Sequence, residues 1–200
     1  MVKCRVFEFL RRSAMSELLE PVKANLTISV MFRDGTLLEE IRSILEEKYG
    51  KTDAVSEVYD FSSISPYYDP EMGNGIKKIV FSFKEPVPRD LLKDVKLFCA
   101  GLEKKYSDNG NRLVNLDPGL VTLENFILAT GKNYSHRIYL GSGVFAEVTL
   151  MFGKKNAVKE LPWSYRDYLY EPARSFLLEV RELYRAKRAA LLKNKYGELN

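Results

Sequence analysis

The sequence predicts an α+β protein with a ferredoxin-like split βαββαβ core, an added C-terminal β-hairpin and a long C-terminal helix. Three observations point there. Two amphipathic helical stretches are each flanked by strand-like segments, and the order runs strand, helix, strand, strand, helix, strand. Further on, a glycine loop separates two alternating segments, and a proline opens a last amphipathic stretch. With 200 residues, 46% of them hydrophobic and 29% charged, the chain can bury a full core without disulfide or metal staples.

Residues 24–32 alternate, with Leu26, Ile28, Val30 and Phe32 on one face and Asn25, Thr27 and Ser29 on the other, as in a half-buried strand. Asp34 and Gly35 turn the chain into Thr36, whose hydroxyl can cap a helix while Glu39 reaches back. The stripe Leu37, Leu38, Ile41, Ile44, Leu45 and Tyr49 defines that helix, and Gly50 ends it. Segments 54–61 and 76–83 supply the second and third strands. After Pro86 and Pro88 a second helix spans 89–106, with Leu92, Val95, Phe98, Cys99, Leu102 and Tyr106 inward. A short fourth strand over 111–116 closes in the turn signal Asp117-Pro118-Gly119. A short helix over 122–130 then stops at Gly131. Segments 136–140 and 144–152 pair around Gly141-Ser142-Gly143, in a register that sets Arg137 opposite Glu147 and Tyr139 opposite Phe145. Pro172 starts the last helix, whose inward stripe is Phe176, Leu177, Val180, Leu183 and Tyr184. The chain thus divides into an N-terminal extension over 1–20, one α+β domain over 21–184 and a basic helical tail over 185–200.

Lys and Arg number 31 against 27 Asp and Glu, a formal charge of +4. Five of the cations, Arg185, Lys187, Arg188, Lys193 and Lys195, fall in one acid-free stretch, so 26 basic residues face 27 acidic ones elsewhere. That near-neutral body argues against a nucleic-acid face across the domain and leaves only the tail as a contact for RNA or DNA. The same cations suit the negative pole of a helix end. No apolar run nears the roughly 20 residues that span a bilayer, and Glu8, Arg11 and Arg12 break up any signal-peptide core, which together indicate a cytoplasmic protein. Cys4 and Cys99 lack CxxC partners and read as reduced thiols; His136 is the only histidine, so a zinc site lacks ligands. Gln is absent while Lys and Glu abound, a bias of thermophile proteins. No Walker A loop, GxGxxG or GxSxG occurs, which removes the P-loop, the dinucleotide fingerprint and the nucleophile elbow. An RNA-recognition motif needs exposed aromatics where the first strand carries Asn25, Thr27 and Ser29.

The connection over 62–75 is too long for a hairpin, and it holds Tyr67, Tyr68, two prolines, Asp69 and Glu71. Such loops serve function, or here the tyrosines and Met72 fold back as a plug. Asn115 and Asp117 leave one face of their strand, which with Asn25, Thr27, Ser29 and Ser82 makes a polar sheet surface, either a ligand platform or a solvated face. Asp117 also suits a turn. His136 shares parity with Ile138 and Leu140, as a semi-buried histidine does, yet it alone titrates near neutrality. Arg137 can clamp an anion or pair with Glu147. Residues 161–170 hold one Trp and three Tyr, which strap down the last helix or wall a ligand.

Four strings, Tyr-Tyr-Asp-Pro-Glu-Met-Gly (67–73), Val-Asn-Leu-Asp-Pro-Gly (114–119), Ser-His-Arg-Ile-Tyr-Leu-Gly-Ser-Gly-Val-Phe-Ala-Glu-Val-Thr-Leu (135–150) and Leu-Pro-Trp-Ser-Tyr-Arg-Asp-Tyr (161–168), together resemble an uncharacterised prokaryotic family known only as a domain of unknown function. The resemblance covers about 21–184. Some relatives carry the loose label "GTP-binding protein", which is not carried over to a chain without a P-loop. The resemblance implies a fold and a set of positions, with no established reaction.

The residues then suggest a small anionic or phosphorylated metabolite held between the open sheet face, the 62–75 loop and the 135–150 hairpin. In that scheme Arg137 holds the anion, Asp117 and Glu71 serve as general base or metal ligands, His136 moves a proton, and Tyr67, Tyr68, Asn115 and Glu147 complete the binding set. Mg²⁺ or Mn²⁺ would suit the oxygen ligands. The rivals are a non-enzymatic module that touches RNA, DNA or a protein, and a homo-oligomer joined through the polar sheet face.

Overall fold

The alternating segment at the start of the domain becomes β1 (Asn25–Phe32), which is buried at all eight positions. A strand covered on both faces needs a layer on each side. The computed structural model describes residues 18–197, with side chains to Lys193, so the extension over 1–20 lies almost wholly outside the described residues. After β1 come α1 (Gly35–Tyr49), β2 (Thr52–Val55), β3 (Tyr59–Asp60), α2 (Asp69–Met72), β4 (Lys77–Phe83) and α3 (Leu92–Lys105). A small hairpin, β5 (Ser107–Asp108) and β6 (Asn111–Arg112), precedes β7 (Val114–Val121), β8 (Asn125–Thr130), β9 (Ile138–Gly141), β10 (Val144–Phe152), β11 (Val158–Lys159) and α4 (Ala173–Gly197). The chain is α+β. Strands run β11-β10-β8-β7-β1-β4-β2 across the main sheet, and the ladders joining them are antiparallel.

One face of the sheet packs Leu26, Ile28 and Val30 against Leu38, Ile41 and Leu45 of α1 and Val95, Cys99 and Leu102 of α3. On the other face Val80, Val121, Phe126, Leu128 and Leu150 meet Ala173, Phe176, Leu177 and Val180 of α4. Each of Phe176, Leu177 and Val180 contributes about 1.5–3 kcal/mol by leaving water. Their spacing on α4 matches the expected stripe, except that Leu183 is only half-buried.

The polar sheet surface is therefore neither open nor solvated. Asn25, Thr27, Ser29 and Ser82 are all at most 2% exposed beneath α4 and the turn before it. Burying them is tolerated because each is paired. Asn25 Nδ2 donates to Ser82 Oγ at 2.9 Å, Ser82 Oγ to Asp53 at 2.8 Å, and Ser29 shares a 2.6 Å bond with the Tyr168 hydroxyl. Lys187, read as part of the tail, reaches back to Asn25 Oδ1, the Phe83 carbonyl and Asp53 at 2.5, 2.9 and 2.6 Å.

Other expectations change too. The first helix is capped by Asp34, which accepts the Thr36 N–H at 2.8 Å, and not by Thr36. The second strand is split into β2 and β3 around Ser56, whose hydroxyl accepts the Val80 N–H. The helix expected over 122–130 is a tight turn, with the Thr122 N–H donating to the Asn125 carbonyl, followed by β8. A short apolar run such as 126–129 fits helix or strand equally well by periodicity, and the turn decides.

Asp117-Pro118-Gly119 is not a turn. It lies inside β7, which pairs with β1 along its full length but with β8 only from Gly119 to Val121. Even-numbered residues of β7 point their N–H and C=O toward β8, as at Thr122, and Pro118 has no N–H to offer. The ladder ends there, and β8 continues along β10 to Thr130 instead. Leu116, the next residue aimed into the fork, has its N–H taken by Glu103 Oε1 and its carbonyl by Lys96 Nζ, both at 2.7 Å. Two buried charged side chains on α3 thus replace a missing strand. Gly119 has to be glycine, since a Cβ there would stand 2.5 Å from the Phe126 ring and 2.9 Å from the Ile127 carbonyl.

Candidate functional site

The fork opens a cavity of about 60 Å³ lined by Asp117 of β7, Leu128, Ala129 and Thr130 of β8, Lys78 of β4 and the rings of Phe61, Tyr68, Tyr165 and Tyr168. Lys78 is 1% exposed. Its ammonium stands 2.5 Å from Asp167 Oδ2 and lies over the Tyr168 ring at 4.2 Å and the Phe61 ring at 5.4 Å. Burial works against its charge, but Asp167 outweighs that and holds the group above the ordinary lysine value. Asp117 accepts from Lys96 Nζ at 3.2 Å and from Asn115 Nδ2 at 2.7 Å, and its side chain is 25% exposed. Burial would raise its carboxyl; Lys96 and Lys78 reverse this and leave it below the ordinary carboxylate value.

A wider cleft of about 520 Å³ shares Phe61, Tyr68, Tyr165 and Asp167 with that cavity, and adds Pro66, Tyr67 and Trp163. Its size is that of a small-molecule pocket. One wall comes from the 62–75 loop, which is ordered by a turn at Pro66–Tyr68 and by α2. The expectation that the loop folds back as a plug is met in part. Met72 and Tyr68 pack back on Phe61, Met31 and Ile76, whereas Tyr67 is 65% exposed. The other wall is the aromatic strap, tied down by Trp163 Nε1 donating to the Val148 carbonyl and Ser164 Oγ to the Thr149 carbonyl. Exposed Lys132 donates to the Tyr67 hydroxyl at 2.9 Å, and exposed Arg166 lines the cleft, so the mouth is cationic.

His136, Arg137 and Glu147 come together beside the strap. Glu147 Oε2 lies 2.7 Å from both His136 Nε2 and Arg137 Nε, confirming the cross-strand pairing read from the hairpin register. Arg137 also donates to the Lys132 carbonyl and to the Tyr165 hydroxyl, each at 2.8 Å. Its side chain is only 10% exposed, and these bonds tie it to the hairpin and the strap. His136 stacks on Trp163 with ring centroids 4.6 Å apart. Among the described residues Glu147 Oε1 and Thr149 Oγ1 are buried without a hydrogen-bond partner.

Glu71 and Asn115 meet through Arg112. Glu71 takes a two-pronged bond from Arg112 at 2.6 and 2.8 Å, and Asn115 Oδ1 accepts from Arg112 at 2.6 Å. That pairing holds Glu71 below its ordinary value. Arg112 also lies over the Tyr68 ring at 5.6 Å. Of the residues singled out from sequence, Tyr67 and Tyr68 therefore line the cleft and Asp117 the inner cavity. Arg137, His136 and Glu147 act behind Tyr165 and Trp163, and Glu71 and Asn115 act behind Arg112. Tyr165 and Tyr168 belong to the aromatic strap singled out from the sequence, whereas Lys78 and Asp167 were given no role there. The signal for Lys78 is its register, since it shares a face with Val80 and Ser82, both buried.

Among the described residues no three or more His, Cys, Asp or Glu side chains gather as a metal site, and no helix is long and apolar enough to cross a membrane. A family model described as a domain of unknown function (DUF4416) matches residues 22–184. No curated protein and no solved structure matches the chain.

Proposed function

The chain belongs to the DUF4416 family, a domain of unknown function, and we propose that it binds a small metabolite with a planar part and an anionic group in the cleft between 61–68 and 163–167. The observation that carries this is a pair of adjoining cavities that share Phe61, Tyr68, Tyr165 and Asp167, with aromatic walls from Tyr67, Tyr68, Trp163 and Tyr165, cations at the mouth, and fixed charges in the inner one. Flat rings present large, rigid contact area to a flat ligand. Binding fits better than acid–base turnover because the floor groups are locked in one state. Lys78 stays an ammonium and Asp117 a carboxylate, while burial pushes the Tyr165 hydroxyl up to about 12 and the Tyr68 and Tyr168 hydroxyls further. A general base works best with a value near the working pH.

The same proposal takes the core as ferredoxin-like, which the central order β7-β1-β4-β2 supports. It places the protein in the cytoplasm, in keeping with the free, buried Cys99. A nucleic-acid role for the tail has little to rest on, since Lys187 is committed to the fold and Arg185 pairs with Glu182 at 2.9 Å.

Trp163 is the only tryptophan in the chain and lines the cleft, so its fluorescence reports occupancy. Titration with nucleotides, phosphorylated sugars and aromatic carboxylates, paired with thermal shift, should find a class that changes emission and raises Tm. Tyr165→Ala should weaken that binding about ten-fold or more, the loss of one stacking wall. No response from any class sinks the proposal.

A further inference from the structure

Resting on that reading, we propose that the inner cavity receives the neutral edge of a cyclic amide, with Lys78 donating to its carbonyl and Asp117 accepting its N–H, so that the anionic group stays at the mouth. Two hydrogen-bonding groups on the floor have capacity left. An ammonium carries three N–H donors. Lys78 spends one on Asp167, and among the described residues no other oxygen accepts from it. Two donors of a side chain that is 1% exposed therefore meet only rings and the cavity. Asp117 takes one bond on each oxygen, from Lys96 and from Asn115, and each oxygen can accept a second.

Charge then selects among ligands. The cations near the floor are Lys78, Lys96 and Arg112, and the anions are Asp117, Asp167, Glu71 and Glu103. Four against three leaves the floor slightly negative. A carboxylate or phosphate pushed inward would sit against Asp117 and Asp167 with no surplus cation to offset them, and burying an unpaired charge is expensive. An ammonium would crowd Lys78. A neutral group with an acceptor next to a donor satisfies both residues at once, and the lactam edge of a planar ring is that group. The cations not committed to the floor, Lys132 and Arg166, are outside, where the ligand's anion belongs. Tyr68 and Tyr165 line both cavities and so flank the ring where it passes between them.

The test compares three single-ring probes, 2-pyridone, benzoate and benzylammonium, by Trp163 emission on the full chain. The expected result is 2-pyridone binding at least ten-fold tighter than either ion, with Asp117→Ala and Lys78→Met each removing about ten-fold of that preference, as sites built to hydrogen-bond lose their selectivity with the partner. If Lys78→Met fails to fold, the ammonium resonance of Lys78 in ¹⁵N-labelled wild type is followed instead, and it should shift on adding 2-pyridone. Equal or tighter benzoate binding overturns the inference, as does 2-pyridone that leaves the Lys78 signal unmoved or ignores Asp117→Ala. If planar anions bind the cleft and 2-pyridone shows no preference, this orientation is wrong while the cleft remains a binding site. If no planar compound binds, the cleft itself is wrong.

Discussion

Replacing Lys78 with Met probes whether the floor of the cleft is held by a desolvated ion pair. The side chains of Lys78 and Asp167 are 2% and 6% exposed, with 2.5 Å between the charged atoms. Methionine nearly fills the lysine stem, so little packing is lost and the change is mostly electrical. Asp167 is left with the Tyr59 hydroxyl at 3.2 Å as its remaining side-chain donor. Breaking one side of a buried pair costs about 3–5 kcal/mol, whereas an exposed pair is worth about 0–1 kcal/mol. In a chain of this length each kcal/mol moves Tm by about 2–4 °C, so the drop should be roughly 6–20 °C. Urea unfolding followed by circular dichroism measures the loss directly. The double variant Lys78→Met with Asp167→Asn removes the stranded charge and should recover much of it. A single-variant loss below about 1 kcal/mol, the exposed-pair range, would refute the claim that burial governs this pair. A double variant no more stable than the single one would refute the stranded-charge account.

Gly119→Ala forces a methyl against the Phe126 ring and the Ile127 carbonyl, and should cost about 1–3 kcal/mol by overpacking, read from the urea midpoint. Asp117 has its folded value below the unfolded one, so its contribution is complete above the unfolded value near ~3.9 and fades as pH falls through to the folded value. Asp117→Asn should flatten that acid limb of stability, and identical acid limbs in variant and wild type would contradict the assignment. Lys187→Met leaves Asp53 with the Ser82 hydroxyl as its remaining side-chain donor among the described residues and takes the lysine donor from Asn25 Oδ1 and the Phe83 carbonyl, while Arg185→Ala removes only an exposed pair. Thermal melts should separate them, with Arg185→Ala within about 0.5 kcal/mol of wild type and Lys187→Met clearly below it.

Where side chains report their own surroundings, the fold was legible. The stripe on α1 and the alternation of β1 placed both elements, and the hairpin register put Arg137 against Glu147 as found. What escaped were partners far apart in sequence. Asn25, Thr27, Ser29 and Ser82 look like a surface because nothing nearby announces that Lys187 and Tyr168 will satisfy them. Asp117-Pro118-Gly119 has the composition of a turn, and only its long pairing with β1 keeps it extended. The site shows the same division. Tyr67, Tyr68 and Asp117 stand on the walls of the cleft and its inner cavity, and of the two roles open to Arg137 the structure shows the pairing with Glu147, together with two further local acceptors. Lys78 was overlooked because a lysine in a strand reads as solvated, until Phe61 and the strap residues Asp167 and Tyr168 close over it.

Most cavities in sheets are made by shortening side chains, and neighbours can creep inward to close them. The opening beside Pro118 has a different origin, one hydrogen atom absent from the main chain. No rotamer change restores that donor, and beyond it the Leu116 N–H and carbonyl are already taken by Glu103 and Lys96, so nothing in the lining of the recess is needed to keep β7 and β8 apart. Shape and chemistry are thereby uncoupled at this spot: Thr130, Tyr68 or Tyr165 can be exchanged to suit another guest while the aperture persists. Such a fork is a natural scaffold for re-engineered recognition, with the recess set by the backbone and its α3 partners and only its upholstery left to choose.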